Sequence, residues 1–227
     1  MKRSEINQLI QDSEVFFDKM NFKLPMWSRW SLDEWTQNRK HCFEIFNNML
    51  GWDLTDFGSG RFADRGLILF TLRNGTPGSA GKTYAEKIMI VEENQETPFH
   101  FHWSKMEDII NRGGGNLVME LYLSTDSETY SDQPVRFQSD GITRTASAGE
   151  KVVLGPGESI TLEQNMYHRF YGEPGSGKVL VGEVSMVNDD TVDNRFYEKI
   201  GRFPEIEEDE EPYRLLVSDY ATFVMEK

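Results

Sequence analysis

The chain contains a single cysteine, and acidic residues far outnumber its basic ones. Cys42 is the only thiol among 227 residues, and 24 lysines and arginines stand against 38 aspartates and glutamates, for a net charge of −14. One thiol excludes an internal disulfide framework and fits a reducing compartment. The negative charge repels phosphate backbones and anionic membrane surfaces across roughly 8–10 Å at physiological salt. We therefore expect no nucleic-acid partner and no membrane partner.

The sequence also lacks a long apolar run near its start. Its first twenty residues, MKRSEINQLIQDSEVFFDKM, include seven charged side chains and no uncharged run longer than six residues. That pattern is typical of neither a signal peptide nor a membrane span. Together with the lone thiol, it predicts a soluble cytoplasmic protein. The chain length fits one domain with a terminal extension.

Helical patterns open the chain. Ser4 can cap a first helix, whose apolar residues recur three and four positions apart until the sequence FKLP ends it. Ser31 and Glu34 form an S-x-x-E capping box for a second helix, with an apolar stripe from Trp35 to Met49. We predict two N-terminal helices.

From about residue 60 the pattern changes to short strands rich in β-branched and aromatic residues. GLILFTLRNG, KIMIVEEN and NLVMELYLST are typical runs, separated by glycine, proline and asparagine. Because no helical crossover of useful length lies between most of them, the sheets should be mainly antiparallel, as in a jelly roll or a barrel. We predict an all-β domain with a helical extension at 1–59, the barrel at 60–187, and a C-terminal segment at 188–227 that could form a lid.

Three of the four histidines and one glutamate are candidate metal ligands. His100 and His102 share one face of the strand FHFHW, about 6.5–7 Å apart along it, and Glu107 can reach them from the following turn. His168 lies in the strand-like run MYHRFYG, whereas His41 falls in a helix, off its apolar stripe. Three imidazoles and a carboxylate leave two positions of an octahedron open, and they suit manganese, iron, nickel, cobalt or zinc. An H-x-H pair also occurs in metal-free sheets, so the spacing alone leaves the question open.

These residues resemble the first motif of the cupin superfamily. The motif H-x-H-x4-E-x6-G is matched at His100, His102, Glu107 and Gly114, although Asn94 replaces the glycine usually found six residues before the first histidine. The resemblance implies a cupin-type double-stranded β-helix over about residues 60–187. It also implies that the four candidate ligands bind a divalent metal.

The second cupin motif is matched only in part. G-x5-P-x-G-x2-H-x3-N aligns with Gly157, Glu163, Asn165, His168 and Gly172, and only its first glycine and its histidine agree. Asparagine tolerates the positive φ of a turn glycine, so Asn165 is an acceptable substitute. The ligand itself is retained.

The whole chain resembles the bacterial D-lyxose isomerases. The resemblance lies in the helical N-terminus and in the stretches FHFHWSKMEDIINRGGG, GEVSMVNDDTVDNRF and RFPEIEEDEEP. It implies a metal-dependent isomerase that interconverts D-lyxose and D-xylulose, and also D-mannose and D-fructose. It further implies a neutral monosaccharide substrate, a homodimer, and Mn²⁺ as the cofactor, with Zn²⁺, Co²⁺, Fe²⁺ and Ni²⁺ as alternatives.

Lys105 is the candidate catalytic residue. It follows His102 by three residues and could project from the same turn as Glu107. An ammonium near a metal cation loses its proton more readily, so Lys105 could carry a proton or bind a substrate oxygen. The alternative interpretation is a solvated turn lysine.

The second acid/base or substrate-binding residue is open between three regions. Glu183 lies in the apolar strand VLVGEVSMV, where an acid needs a partner or must point outward. Asp190, with Asn188 and Asp189, follows that strand and could bind hydroxyls at the barrel mouth. Glu207, or the glutamate after it, could fold over the mouth from the acidic C-terminal run.

Two rival functions remain at this point. A sugar-phosphate isomerase would need a basic cluster or a helix N-terminus near the metal, and the metal-site segments offer only Arg112 and Arg169 besides Lys105. Arg169 should alternate outward from His168, so a neutral sugar is favoured. A non-catalytic metal- or sugar-binding cupin is the other alternative, and turnover distinguishes it.

Overall fold

The computed structural model describes residues 1–187, 189, 192–201 and 205–225. In these ranges three α-helices precede the strands. They lie at Arg3–Lys19 (α1), Leu32–Asn38 (α2) and Phe43–Asn47 (α3). None of the described helices is long and apolar enough to cross a membrane.

Thirteen strands follow within the described ranges. They are β1 Gly51–Thr55, β2 Leu67–Arg73, β3 Tyr84–Val91, β4 Thr97–Phe101, β5 Glu107–Gly114, β6 Leu117–Leu123, β7 Val135–Ser139, β8 Ile142–Ala146, β9 Lys151–Leu154, β10 Ser159–Leu162, β11 Met166–Gly172, β12 Val179–Met186 and β13 Arg195–Phe196.

The strands form two antiparallel sheets. The larger has the order β1-β2-β3-β12-β5-β10-β7-β8, and the smaller has the order β13-β4-β11-β6-β9. Their inward side chains meet in one buried core, with Met89 and Ile109 from the larger sheet and Leu121 and Phe170 from the smaller one. In β5 and β7 every second residue is buried, because one face of these strands packs on this core. Most residues of β3 and β12 are buried on both faces. The predicted all-β architecture with antiparallel sheets is confirmed.

Helix α1 packs on the outer face of the larger sheet. Ile6, Ile10 and Phe17 are almost fully buried against a second cluster that includes Trp52 of β1 and Phe70 of β2. Each such side chain contributes about 1.5–3 kcal/mol on removal from water. Amphipathic spacing, as read from the sequence, fixes which side of α1 faces the sheet.

The helix boundaries differ from two expectations. Lys2, not Ser4, is the N-cap of α1, and the Ser4 hydroxyl instead donates to the carboxylate of Asp209. The Ser31–Glu34 capping box is present, but the second helix ends at Asn38, and a 3₁₀ turn separates it from α3. Phe43, assigned to the apolar stripe, is 67% exposed.

The sheet begins before the predicted start of the barrel at residue 60. β1, at Gly51–Thr55, pairs with β2 along its whole length and is the edge strand of the larger sheet. Its sequence GWDLT carries only five residues of strand pattern and follows the helical region within a few residues. The strand pattern therefore extends into the predicted N-terminal extension.

The acidic C-terminal run lies against α1. The buried guanidinium of Arg3 donates to Glu208 and to Asp219. Further along, Leu215 and Tyr220 pack on Trp35 of α2. The described part of the C-terminal segment thus joins the N-terminal helices.

Candidate active site

The three candidate histidines meet on the inner face of the smaller sheet. His100 of β4 and His168 of β11 are direct partners in the antiparallel ladder, and His102 follows β4. Their ligand atoms lie within 4.8 Å of one another. Glu107, the first residue of β5, is buried beside them, with Oε1 at 3.2 Å from His168 Nε2 and 3.3 Å from His102 Nε2.

Backbone carbonyls orient all three imidazoles. The Nδ1 atoms of His100, His102 and His168 lie 2.8, 2.8 and 3.0 Å from the carbonyl oxygens of Pro98, Asp193 and Met166. A carbonyl oxygen can only accept, so each Nδ1 donates its proton to the bond, and in the neutral tautomer each Nε2 then has a free lone pair. Histidine ligands of metals are commonly fixed in this way.

The cluster fits a metal ion. His100 Nε2 and His168 Nε2 are only 3.1 Å apart, and two lone pairs at that distance repel unless a cation lies between them. Ligands about 2.1 Å from one ion stand roughly 3 Å apart in an octahedron, which is close to these separations. His102 Nε2 is buried and forms no hydrogen bond with the described residues. The three imidazoles could therefore hold a metal ion.

Electrostatics keep His100 and Glu107 in the protonation states that metal ligands need. Burial, and then the neighbouring His168 and His102 rings, place the pKa of His100 well below 6.5. Burial opposes ionisation of Glu107, but the Lys105 ammonium, followed by His102, outweighs it and holds the pKa of this carboxyl well below 4.5. Metal ligands must be neutral imidazoles and ionised carboxylates, and the cluster provides both.

Two lysines and a second glutamate continue the polar cluster. Lys105 Nζ lies 2.6 Å from Glu107 Oε2 and 3.0 Å from Glu183 Oε1. Lys87 Nζ lies 3.2 Å from the same Glu183 oxygen. Lys87, Lys105 and Glu183 are all buried, so the structure excludes a solvated position for Lys105 and an outward position for Glu183.

The cluster lies in a cavity between the sheets. Its walls are mainly apolar and include Phe57, Leu69 and Met89, while Asp53 and Asn194 also line it. Thr97 contributes a buried hydroxyl that has no hydrogen-bond partner among the described residues. An apolar cavity with a few convergent polar groups is the usual form of a small-molecule site.

The turn that carries Lys105 is fastened by Asp193. Its carboxylate accepts the backbone N–H groups of Ser104 and Lys105 at 3.0 and 3.1 Å. The backbone carbonyl of Asp193 accepts a hydrogen bond from His102 Nδ1. One residue of the segment after β12 therefore supports both a candidate ligand and the candidate catalytic turn.

The other predicted site residues have different positions. Asn188 and Asp190 lie outside the described residues, and Asp189 is exposed. Glu207 is exposed, and its backbone pairs with Met1 and Lys2 at the start of α1. The acidic run follows α1 because Arg3 and Ser4 bind its carboxylates. The structure does not bring Glu207 to the cavity.

The arginines considered for phosphate binding also face away from the cavity. Arg169 binds Glu120 and Glu96 on the outer side of the smaller sheet, as its alternation with His168 predicts. Arg112 lies against Gly182 and is not among the residues that line the cavity.

Comparison with solved structures identifies the fold. An L-ribose isomerase of Cellulomonas parahominis, solved with no ligand, superposes with a TM-score of 0.60 at 13% identity, covering 91% of this chain and 98% of that protein. An L-ribose isomerase of Acinetobacter sp. DL28 in complex with L-ribose has a TM-score of 0.59 at 15% identity, covering 88% and 93%. At such low identity the likeness shows the fold alone. It confirms the predicted cupin-type barrel with an N-terminal helical extension.

Sequence comparison is more specific. The D-lyxose isomerase family model matches residues 1–220. A D-lyxose/D-mannose isomerase of Serratia proteamaculans is 49% identical over 227 residues, which cover 99% of this chain and 100% of that protein. A protein of the same name from Escherichia coli O157:H7 is 46% identical over 226 residues, which cover 98% and 100%. The chain therefore belongs to the D-lyxose isomerase family, as its resemblance to these enzymes predicts.

Proposed function

We propose that this aldose–ketose isomerase interconverts D-lyxose and D-xylulose, and also D-mannose and D-fructose. The two relatives named above support these substrates, because they share nearly half of their residues with this chain along its whole length. D-Lyxose and D-mannose have the same configuration at C2, C3 and C4, so one cavity can accept either at its reacting end. The observation that carries the proposal is the buried Lys105–Glu183 pair beside the three imidazoles.

The metal would be held by His100, His102, His168 and Glu107. A divalent cation bound there would withdraw electrons from the oxygens on C1 and C2 of the sugar. It would thereby make the proton on C2 more acidic and stabilise the negative charge of the enediolate. We propose Mn²⁺ as this cation, with Zn²⁺, Co²⁺, Fe²⁺ and Ni²⁺ as alternatives, because three nitrogens and one oxygen accept most first-row divalent ions.

The protein's own groups would move the protons. From aldose to ketose, one proton leaves C2 and one arrives at C1, while the O2 hydrogen is replaced by one on O1, so no electrons leave the sugar. We assign the carbon-bound proton to the Glu183 carboxylate, which would take it from C2 and return it to C1. Lys105 would donate to the oxygen that becomes a hydroxyl and receive the proton of the other.

A neutral sugar fits the cavity better than a sugar phosphate. Lys87 and Lys105 already contact Glu183, and no arginine is among the described residues that line the cavity. A phosphate would need a cluster of cationic donors of its own. The described walls instead offer hydroxyl-binding groups such as Asp53 and Thr97 among apolar side chains.

We further propose a cytoplasmic homodimer. The outer face of the larger sheet bears an exposed apolar patch of Tyr84, Val184 and Met186, in which Tyr84 and Met186 are cross-strand partners. Exposed Met106 adjoins it, because its carbonyl accepts a hydrogen bond from the Met186 N–H. A patch of this kind is typical of a surface that associates with another molecule. The cytoplasmic location is supported by the single thiol, Cys42, which is buried and free. Light scattering at several concentrations tests the dimer.

A substrate panel tests the proposed reaction. Metal-free protein is reconstituted with Mn²⁺ and incubated with D-lyxose, D-xylulose, D-mannose and D-fructose, and the product sugars are separated. Conversion within both pairs is expected. Loss of this activity without the metal, and its recovery with Zn²⁺, Co²⁺, Fe²⁺ or Ni²⁺, ranks the cations. No conversion of any sugar despite bound metal would overturn the proposal.

A further inference from the structure

Three side chains donate hydrogen bonds to one carboxylate oxygen of Glu183. Its Oε1 accepts from Lys105 at 3.0 Å, from Lys87 at 3.2 Å and from Ser185 Oγ at 2.9 Å. From the described residues, Oε2 accepts no hydrogen bond. We propose that Lys87 is a positioning residue for the isomerisation, which holds Glu183 so that Oε2 remains available for the carbon-bound proton. This inference rests on the function proposed above.

The sheet itself places Lys87 opposite Glu183. The two are direct cross-strand partners on β3 and β12, so their side chains leave the sheet on the same face, toward the cavity. Ser185 follows two residues later on β12 and therefore shares that face. All three side chains are almost fully buried. The register of β3 and β12 thus brings these side chains together.

Within the part of the chain that the structure describes, the Lys87 ammonium contacts Glu183. The Lys105 ammonium contacts both Glu107 and Glu183. If Lys105 moves while it transfers a proton, Glu183 loses one donor and keeps two. Lys87 and Ser185 would then maintain the position of the carboxylate throughout the reaction.

Stability alone does not account for a lysine at this position. An ammonium loses hydration on burial, and replacing a buried ion pair by apolar residues is often neutral or stabilising. The surrounding walls are apolar, with Leu69 and Met89 among the lining residues, so an apolar side chain at position 87 has suitable neighbours. The charged Lys87 side chain is better explained by proton transfer, which requires the Glu183 carboxylate to be placed precisely.

The test compares Lys87→Met with two matched variants, all loaded with Mn²⁺ and assayed with D-lyxose. Lys87→Met is expected to lower kcat by about 100-fold, which is the effect of a small misplacement of a reacting group, and to leave KM within about threefold. Lys87→Arg restores a charged donor and should recover part of kcat. Ser185→Ala removes a neutral donor to the same oxygen, so its loss of kcat should be below about tenfold.

Metal content and melting temperature are measured for every variant. The proposal requires that Lys87→Met binds metal as the wild type does. It is overturned if kcat is unchanged, if KM rises while kcat is kept, or if the variant and Lys87→Gln both fail to fold or to bind metal, since Lys87 would then have a purely structural role. Absence of turnover in the wild type would instead contradict the proposed function, so the two failures are distinguishable.

Discussion

Lys105 bridges the carboxylates of two glutamates in the site. Its ammonium contacts Glu107 and Glu183, and the residue is only 2% exposed. We predict that Lys105→Ala lowers kcat by about 10²–10⁴-fold, the usual effect of losing a general acid or base. The measurement is the initial rate of D-xylulose formation at saturating Mn²⁺, with metal content determined on the same sample. Near-normal turnover with metal bound would remove Lys105 from the mechanism.

The neutral His100 imidazole makes the stability of the metal-free protein depend on pH. The pKa of His100 lies well below 6.5 in the folded chain, whereas an unperturbed histidine in the unfolded chain has a pKa of about 6.5. Between these values the unfolded state binds more protons, so the free energy of unfolding falls as the pH falls below 6.5, by up to about 1.4 kcal/mol per pH unit. The pKa of Glu107 is also lowered, so below pH 4.5 its protonation reduces the free energy of unfolding further as the pH falls.

Urea unfolding of the metal-free protein at pH 7.5, 6.5 and 5.5 checks this dependence. His100→Gln serves as the matched variant, because glutamine does not titrate. A steeper loss of stability in the wild type than in the variant is expected, and equal slopes would contradict the assignment.

The proximity of the candidate ligands was predictable from the sequence and the burial of Lys87 was not, for one physical reason. H-x-H places two side chains on one face of a strand by local geometry alone, and Glu107 follows within one turn. Lys87 opens the run KIMIVEEN, where a lysine is typical of a solvated strand end. Its burial depends on pairing with Glu183, 96 residues away, which local patterns do not report.

The segment at residues 192–197 closes one side of the site. Asp193 accepts the N–H groups of Ser104 and Lys105, β13 pairs with β4, and the Phe196 ring lies 5.2 Å from that of His100. We predict that Asp193→Ala lowers metal affinity by about 10–100-fold, as is typical when the groups that orient metal ligands are lost.

Titration of metal-free Asp193→Ala with Mn²⁺ measures this effect. Asp132→Ala, at an exposed aspartate, is the control and should bind metal as the wild type does. Equal affinities of both variants would show that the segment does not support the site.

Elements defined by strong local signals were predictable, and those defined by packing were not. The Ser31–Glu34 box marks a helix start correctly. The apolar stripe that follows the box does not predict the end of α2 at Asn38. Its residues Trp35 and Cys42 pack against Leu215 and Tyr220 of the C-terminal segment, and local spacing does not report such long-range packing. β1 is likewise assigned to the sheet by its pairing with β2 and carries only five residues of strand pattern.

Arg3 joins the two ends of the molecule. Its guanidinium is fully buried and pairs with Asp219 at 2.8 Å and Glu208 at 2.7 Å. Removing one partner of a buried ion pair leaves an uncompensated charge. We predict that Arg3→Met lowers the free energy of unfolding by about 3–5 kcal/mol, and that kcat is retained because Arg3 does not line the cavity.

Denaturant unfolding of the metal-loaded protein tests this prediction. The control is Lys23→Ala, which breaks an exposed pair with Asp18 and should change stability by at most about 1 kcal/mol. Similar losses in the two variants would contradict a stabilising role for the buried pair. The sequence alone suggests a solvated acidic run here, because the partner Arg3 lies 205 residues from Glu208.

The central claim is that protein side chains transfer a proton between C1 and C2 of a sugar. The most direct measurement follows D-lyxose deuterated at C2 by NMR, in ordinary water, with the Mn²⁺-loaded wild type. We predict that D-xylulose forms and that part of the deuterium is lost to solvent, because the label passes through an exchangeable carboxyl group. Absence of D-xylulose, or transfer of all of the deuterium to C1, would contradict the account.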